Sequence, residues 1–231
     1  MNNPVIKLNK EKYFKELKKQ KIKKNILEAF GDIDRSNFFD SVFKDKIYSM
    51  EKIPIGHGET SDDPAILAKM IQALNPKKDW RLLEIGTGSG YSTAVLSRLV
   101  SEIISIEYNE DLALRAKPKV ISEGCYNVKF LAGDAGENPD QIGEFDGIIV
   151  FAACVQRPFS FINILKDNGS IVFPMGPAFQ QQIVHFTKPA GEISDYSSSH
   201  FRFLDLCNFN SIRGKYGWID REFIPEDIES T

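Results

Sequence analysis

"LLEIGTGSGYST", Leu82 to Thr93, sets Gly86, Gly88 and Gly90 between a short apolar run and a segment with helical spacing. A strand that feeds a glycine turn and then a helix brings backbone N–H groups against a ligand at the switch point of an open sheet. The flanking sequence repeats the alternation. "RLLEIG" (81–86), "EIISIEY" (102–108), "VKFLAGD" (128–134), "FDGIIVFAA" (145–153) and "GSIVFPMG" (169–176) read as strands. "PAILAKMIQAL", "GYSTAVLSRLV", "DLALRAKPKVISEG", interrupted at Pro118, and Phe159–Leu165 read as helices. This order predicts an α/β protein with a mostly parallel, doubly wound sheet and helices on both faces. "QQIVHFTK" and "HFRFLDLCNF" lie around the serine-rich "SDYSSSH" and are expected to add antiparallel edge strands.

Two acidic positions strengthen the glycine turn. Glu107 closes the second strand twenty-one residues after Gly86, where a carboxylate can accept both ribose hydroxyls of a nucleoside. Asp134 ends the third strand, within reach of an adenine amino group. A dinucleotide fingerprint needs glycine at position 91, but Tyr91 stands there and the spacing is G-x-G-x-G, which disfavours a pyrophosphate and an NAD-linked oxidoreductase. With Glu84 before the turn and carboxylates after strands two and three, the pattern suits S-adenosylmethionine. Acid groups near the loop can meet its ammonium, and its sulfonium tolerates an acidic surround.

The chain has 231 residues, 42% of them apolar, enough for one globular unit. A single domain over 1–231 is expected, with an N-terminal helical extension (1–52), a cofactor-binding core (53–190) and a C-terminal strand region and tail (191–231). The net charge of −3 makes no case for nucleic acid or a membrane surface. It is unevenly spread: residues 1–30 carry +6 and the remainder −9. The basic end includes an approximate helical stripe from Glu11 to Phe30, ending at Gly31. Its lysines are either a contact surface for an acidic partner or the solvated side of a packed helix. The aromatic-rich "SNFFDSVFKDKIYSM" should cover part of the core. Cys125, Cys154 and Cys207 form no CxxC pair, which suggests neither a disulfide framework nor zinc. No two histidines share a ligand spacing, and no metal is expected. Without a signal-peptide core or an eighteen-residue apolar run, the protein is expected in the cytoplasm.

Taken in order, "PIGHGETSDDPAILAKM", the glycine loop, "NVKFLAGDAGE", "FDGIIVFAA", "LKDNGSIVFPMG" and "FRFLDLCNFNSIRGKYGW" resemble the protein-L-isoaspartate O-methyltransferases from about Arg35 to Trp218. The resemblance implies a Rossmann-like class I methyltransferase fold with a rearranged C-terminal strand. It implies S-adenosylmethionine as donor and the isoaspartyl carboxylate of damaged proteins or peptides as acceptor. Gly86, Thr87, Gly88, Ser89 and Gly90 would line the methionine part of the cofactor. Glu107 would hold the ribose, Tyr108 would cover the adenine, and Asp134 and Ala135 match the adenine-side pair. Glu59 to Asp62 match a segment between cofactor and substrate, which places Glu59 against the cofactor and Thr60, Ser61 and Asp62 around the transferred methyl.

The substrate half departs from the family pattern. Where G-Q-T-I-S-x-P is usual, this chain reads Gly58-Glu59-Thr60-Ser61-Asp62-Asp63-Pro64, so Asp62 takes the serine position. The usual V-P-L near the end is Asn210-Ser211-Ile212, and Phe151 replaces a threonine. A carboxylate acceptor is already ionised near neutral pH and needs a donor to orient it; serine donates and ionised aspartate does not. Three arrangements would restore binding: a protonated Asp62, an inward-turned Ser61, or a protonated acceptor for which Asp62 or His57 is the base. Asp63 alone, or with Asp62, would also cap the helix that starts at Pro64. Besides isoaspartyl methylation, the sequence therefore admits another acceptor, or a non-catalytic cofactor-binding interaction protein.

Overall fold

The computed structural model describes residues 4–191 and 200–216. Most of "SDYSSSH", Trp218 and the remaining tail lie outside the described residues.

The core strands are β3 (Arg81–Ile85), β4 (Glu102–Glu107), β5 (Val128–Ala132), β6 (Phe145–Val150), β7 (Leu165–Met175), β8 (Gln181–Thr187) and β9 (Phe201–Cys207), after a small hairpin, β1 (Pro54–Gly56) and β2 (Glu59–Thr60). They form a seven-stranded sheet in the order β5-β4-β3-β6-β7-β8-β9. β3 to β7 are parallel, and β8 and β9 each run antiparallel to the strand before. The order reverses direction between β3 and β6, which opens a crevice at their C-terminal ends.

Successive residues of the central strands serve opposite faces, as a two-residue side-chain period requires. Leu82, Ile103, Ile149, Val172 and Ile183 join one core cluster, whereas Leu83, Ile104, Ile148, Ile171 and Val184 join the other. The first cluster is covered by α1 (Pro4–Lys19), α2 (Lys24–Gly31), α3 (Pro64–Leu74) and α4 (Tyr91–Ser97), with Val120 of α5 (Glu110–Ser122). The second is covered by the short α6 (Phe159–Asn163), through Phe161 and Ile162. The aromatic segment after α2 enters the first cluster through Phe38, Phe39 and Tyr48.

Several elements differ from the sequence expectations. The single helix expected over Glu11–Phe30 is two, because Lys21 turns left-handed at φ 57° and the Lys23 backbone N–H donates to Gln72 of α3 at 2.7 Å. A tertiary contact fixes the break where the apolar spacing ran on. α5 passes through Pro118 without interruption. That proline lies on the exposed side of the helix, and the helix continues although the proline N–H bond is lost. The β1–β2 hairpin was not expected; Gly56, His57 and Gly58 all take positive φ at its turn.

Candidate active site

The crevice is a cleft of about 990 Å³ open to solvent. One wall is the glycine loop, where Gly86, Gly88 and Gly90 all hold positive φ. Gly86, Thr87, Gly88 and Ser89 line the cleft, and Gly88 sits where an added Cβ would stand 3.3 Å from Ile55. Gly90 does not line it. A Cβ there would lie 2.9 Å from Val120 and 3.1 Å from Ala116, so this glycine lets α4 close onto α5.

Glu84, expected against the cofactor, is likewise absent from the cleft wall. It is fully buried beneath the loop and accepts hydrogen bonds from Ser92 (2.7 Å), Thr93 (2.5 Å) and Ser105 (2.7 Å). Burial pushes its carboxyl up to about 7 against the pull of those three donors. Ser105 also meets the Thr87 hydroxyl at 2.6 Å, so the network braces the loop from below. The sequence could not show this, because the three donors reach Glu84 from two different elements.

Glu107 ends β4, buried on most sides, and accepts from the N–H groups of Gly88 (2.9 Å) and Asn109 (3.0 Å). Tyr108 follows it, half exposed in the cleft. Asp134, after β5, accepts from the N–H groups of Gly136 (2.7 Å) and Lys215 (2.8 Å), with Ala135 buried beside it. Glu107, Tyr108, Asp134 and Ala135 all line the cleft.

The opposite wall carries Glu59, Thr60, Ser61 and Asp62. Glu59 is tied across the cleft rim, accepting from Asn210 at 2.5 Å and Arg213 at 2.7 Å. Ser61 is pinned to Ile53: its N–H donates to the Ile53 carbonyl at 2.7 Å and its Oγ accepts the Ile53 N–H at 3.0 Å. The Ser61 hydroxyl proton is thereby left free to donate. Asp63, not Asp62, caps α3, accepting from the N–H groups of Ala65 and Ile66 at 2.7 and 3.4 Å. Asp62 therefore keeps its carboxyl for the cleft. Set deep enough for desolvation to dominate, it is pushed up to about 7, with Lys52 and Arg35 pulling it down and Glu84 and Asp63 adding to the rise.

His57 stays outside the cleft, at the hairpin turn, with Nε2 3.6 Å from Asp111. Among the described residues there is no group of three or more His, Cys, Asp or Glu able to hold a metal ion. The residue the sequence reading missed is Arg35. It lines the same cleft although its side chain is almost wholly buried, its guanidinium 4.6 Å from the ring centroids of both Phe39 and Tyr91. The available signal was its type: it is the first arginine in a segment whose cations are otherwise lysine.

An open, mostly parallel sheet with a glycine loop and acidic strand ends at its switch point defines an α/β protein of the nucleoside-cofactor-binding class. Residues 8–211 match the family described as Protein-L-isoaspartate(D-aspartate) O-methyltransferase (PCMT), and the chain belongs to it. It is 35% identical over 218 residues to the protein-L-isoaspartate O-methyltransferase of Dictyoglomus turgidum, covering 94% of this chain and 96% of that one. Against the Syntrophus aciditrophicus protein of the same name it is 36% identical, covering 84% and 87%. A solved protein-L-isoaspartate O-methyltransferase superposes with a TM-score of 0.76 at 26% identity, over 90% of this chain and 67% of that one. The fold is also that of a Plasmodium falciparum structure titled a putative member, in complex with S-adenosyl-L-homocysteine, at TM-score 0.75 and 20% identity over 88% and 98%.

Proposed function

We propose that this protein transfers the methyl group of S-adenosylmethionine to the isoaspartyl carboxylate of damaged proteins or peptides. The observation that carries the reading is one cleft in which the glycine loop, Glu107 and Asp134 face the Thr60–Asp62 segment. The residues present fit the donor. Glu59, Asp62, Glu107 and Asp134 outnumber Arg35 and Arg213 along the wall, a surround that suits a cation and opposes a pyrophosphate.

Gly86 to Ser89 would hold the methionine part, Glu107 the ribose, and Tyr108, Asp134 and Ala135 the adenine. Glu84 and Gly90 would act on the cofactor only by shaping the loop. When bound, the donor supplies an electrophilic methyl carbon on a sulfonium, whose bond to sulfur breaks as the acceptor oxygen attacks. The sulfur keeps the electron pair, and the products are a methyl ester and S-adenosylhomocysteine. An ionised acceptor needs no base, so the protein's task is to align and desolvate the two reactants. Ser61 and Thr60 offer hydroxyl donors to the acceptor. Asp62, with its carboxyl near 7, can donate in its neutral form and repels the acceptor in its ionised form.

The cytoplasm is part of the same reading, supported by three free cysteines. Nucleic acid and membrane are not proposed as partners; no helix among the described residues is long and apolar enough to cross a membrane. Incubation with labelled S-adenosylmethionine and an isoaspartyl peptide should yield a base-labile methyl ester. Retained S-adenosylhomocysteine binding without ester would transfer the cleft to another acceptor or to a non-catalytic role.

A further inference from the structure

Arg35 is a cation set into the lining of the cleft with part of its hydrogen-bonding capacity unused. Its Nε donates to the Ile47 carbonyl at 2.7 Å, and the guanidinium lies between the Phe39 and Tyr91 rings with Tyr13 behind, 5.9 Å away. Its Nη2 is buried and has no hydrogen-bond partner. A guanidinium this enclosed is costly unless an anion offsets it.

The protein supplies no complete answer among the described residues. Asp62 shares the cleft wall and feels the Arg35 charge, but no hydrogen bond joins them. Lys52, the other cation acting on Asp62, donates instead to the Asn208 carbonyl. Arg35 is held by aromatic packing, the Ile47 carbonyl and a side-chain hydrogen bond to Tyr91, which fix its position without neutralising it.

We propose that Arg35 determines acceptor specificity: its fixed positive charge selects an anionic carboxylate over a neutral acceptor and offsets the repulsion from Asp62. This rests on the carboxyl-methylation reading. It assigns to a residue from the N-terminal extension, twenty-seven positions before Asp62, the charge balance that the serine-to-aspartate departure upsets.

The test is binding, in the presence of saturating S-adenosylhomocysteine, of an isoaspartyl peptide and of the matching isoaspartyl peptide whose free α-carboxylate is an amide. The unaltered protein should prefer the carboxylate by roughly thirtyfold or more, and Arg35→Gln should erase that preference while keeping affinity for S-adenosylhomocysteine. Arg35→Lys, which retains charge, should keep most of it. A preference that survives in Arg35→Gln overturns the assignment while leaving carboxyl methylation intact. Absence of preference in the unaltered protein overturns both. If both variants lose cofactor and peptide binding together, Arg35 only supports the fold and the proposal fails.

Discussion

The two walls of the cleft are built on different physical terms. The cofactor wall is backbone: a loop whose shape follows from three positive-φ glycines, braced by Glu84 and its hydroxyl donors and closed by Glu107 on the Gly88 N–H. The rest of the cleft lining is rich in charge: Arg35, Asp62, Glu59 and Arg213, brought together from the turn after α2, the segment before α3 and the stretch after β9. Backbone geometry tolerates little change, because a displaced loop has nowhere to go. Charges can be rebalanced by neighbouring groups, and Lys52 and Arg35 both act on Asp62 against its raised pKa.

Gly90 puts the rigidity of the cofactor wall to the severest test. Gly90→Ala must accommodate a Cβ 2.9 Å from Val120 at φ +88°, combining overpacking with a left-handed backbone. A loss of about 3 kcal/mol in denaturant unfolding is expected, with weakened S-adenosylhomocysteine binding. Gly124→Ala is the control, since Gly124 has φ +74° and open space around its Cα, and should cost only about 1 kcal/mol. Equal losses at the two sites would mean that backbone strain alone, not the α4–α5 approach, sets the requirement.

Asp62→Ser probes the acceptor wall through pH. Raised to about 7, the Asp62 carboxyl is mostly neutral at pH 6 and mostly ionised at pH 8.5, whereas an isoaspartyl carboxylate stays ionised throughout. The unaltered protein should therefore show KM for the peptide rising across that interval, and the serine variant should not. At pH 8.5 the variant is expected to gain about tenfold in kcat/KM, and at pH 6 little. Loss of activity at both pH values would instead make the carboxylate indispensable and point to an acceptor that must give up a proton.

The same division decides what could be read from sequence. Glycine spacing encodes local backbone, so the strand-loop-helix turn and the alternation of strands and helices were legible, as was the Asp63 cap, whose signal is simply an acidic residue before Pro64. Glu107 and Asp134, picked out by their places at strand ends, do line the cleft. Glu84 was misplaced because its partners Ser92, Thr93 and Ser105 meet it only in three dimensions. Gly90 looked like a ligand glycine, but its requirement comes from α5, some twenty-six residues later in the chain at Ala116. Arg35 carried no motif at all: it reaches the cleft because Phe38, Phe39 and Tyr48 pack its segment into the core beside Tyr91. Side-chain charge, unlike backbone turn, has no period to betray where it will be used.

Glu59 lies at the rim of the cleft, tied to Asn210 and Arg213, and its substitution should have the smallest effect. The sequence put it against the cofactor; in the structure its carboxylate is taken up by Asn210 and Arg213. That clasp is not what holds the 210–212 segment, because Asn210 and Ile212 are already bonded through backbone to Ala153 at 2.9 Å each. Arg213 is half exposed, so the ion pair is screened and worth less than about 1 kcal/mol. Glu59→Gln, which restores the residue usual in the family, should lower Tm by no more than about 2 °C. It should leave S-adenosylhomocysteine affinity within about twofold and improve isoaspartyl-peptide KM slightly, by removing one negative charge from the acceptor rim. A tenfold loss of cofactor affinity would move Glu59 to the cofactor wall and show that the clasp with Arg213 opens when the donor binds.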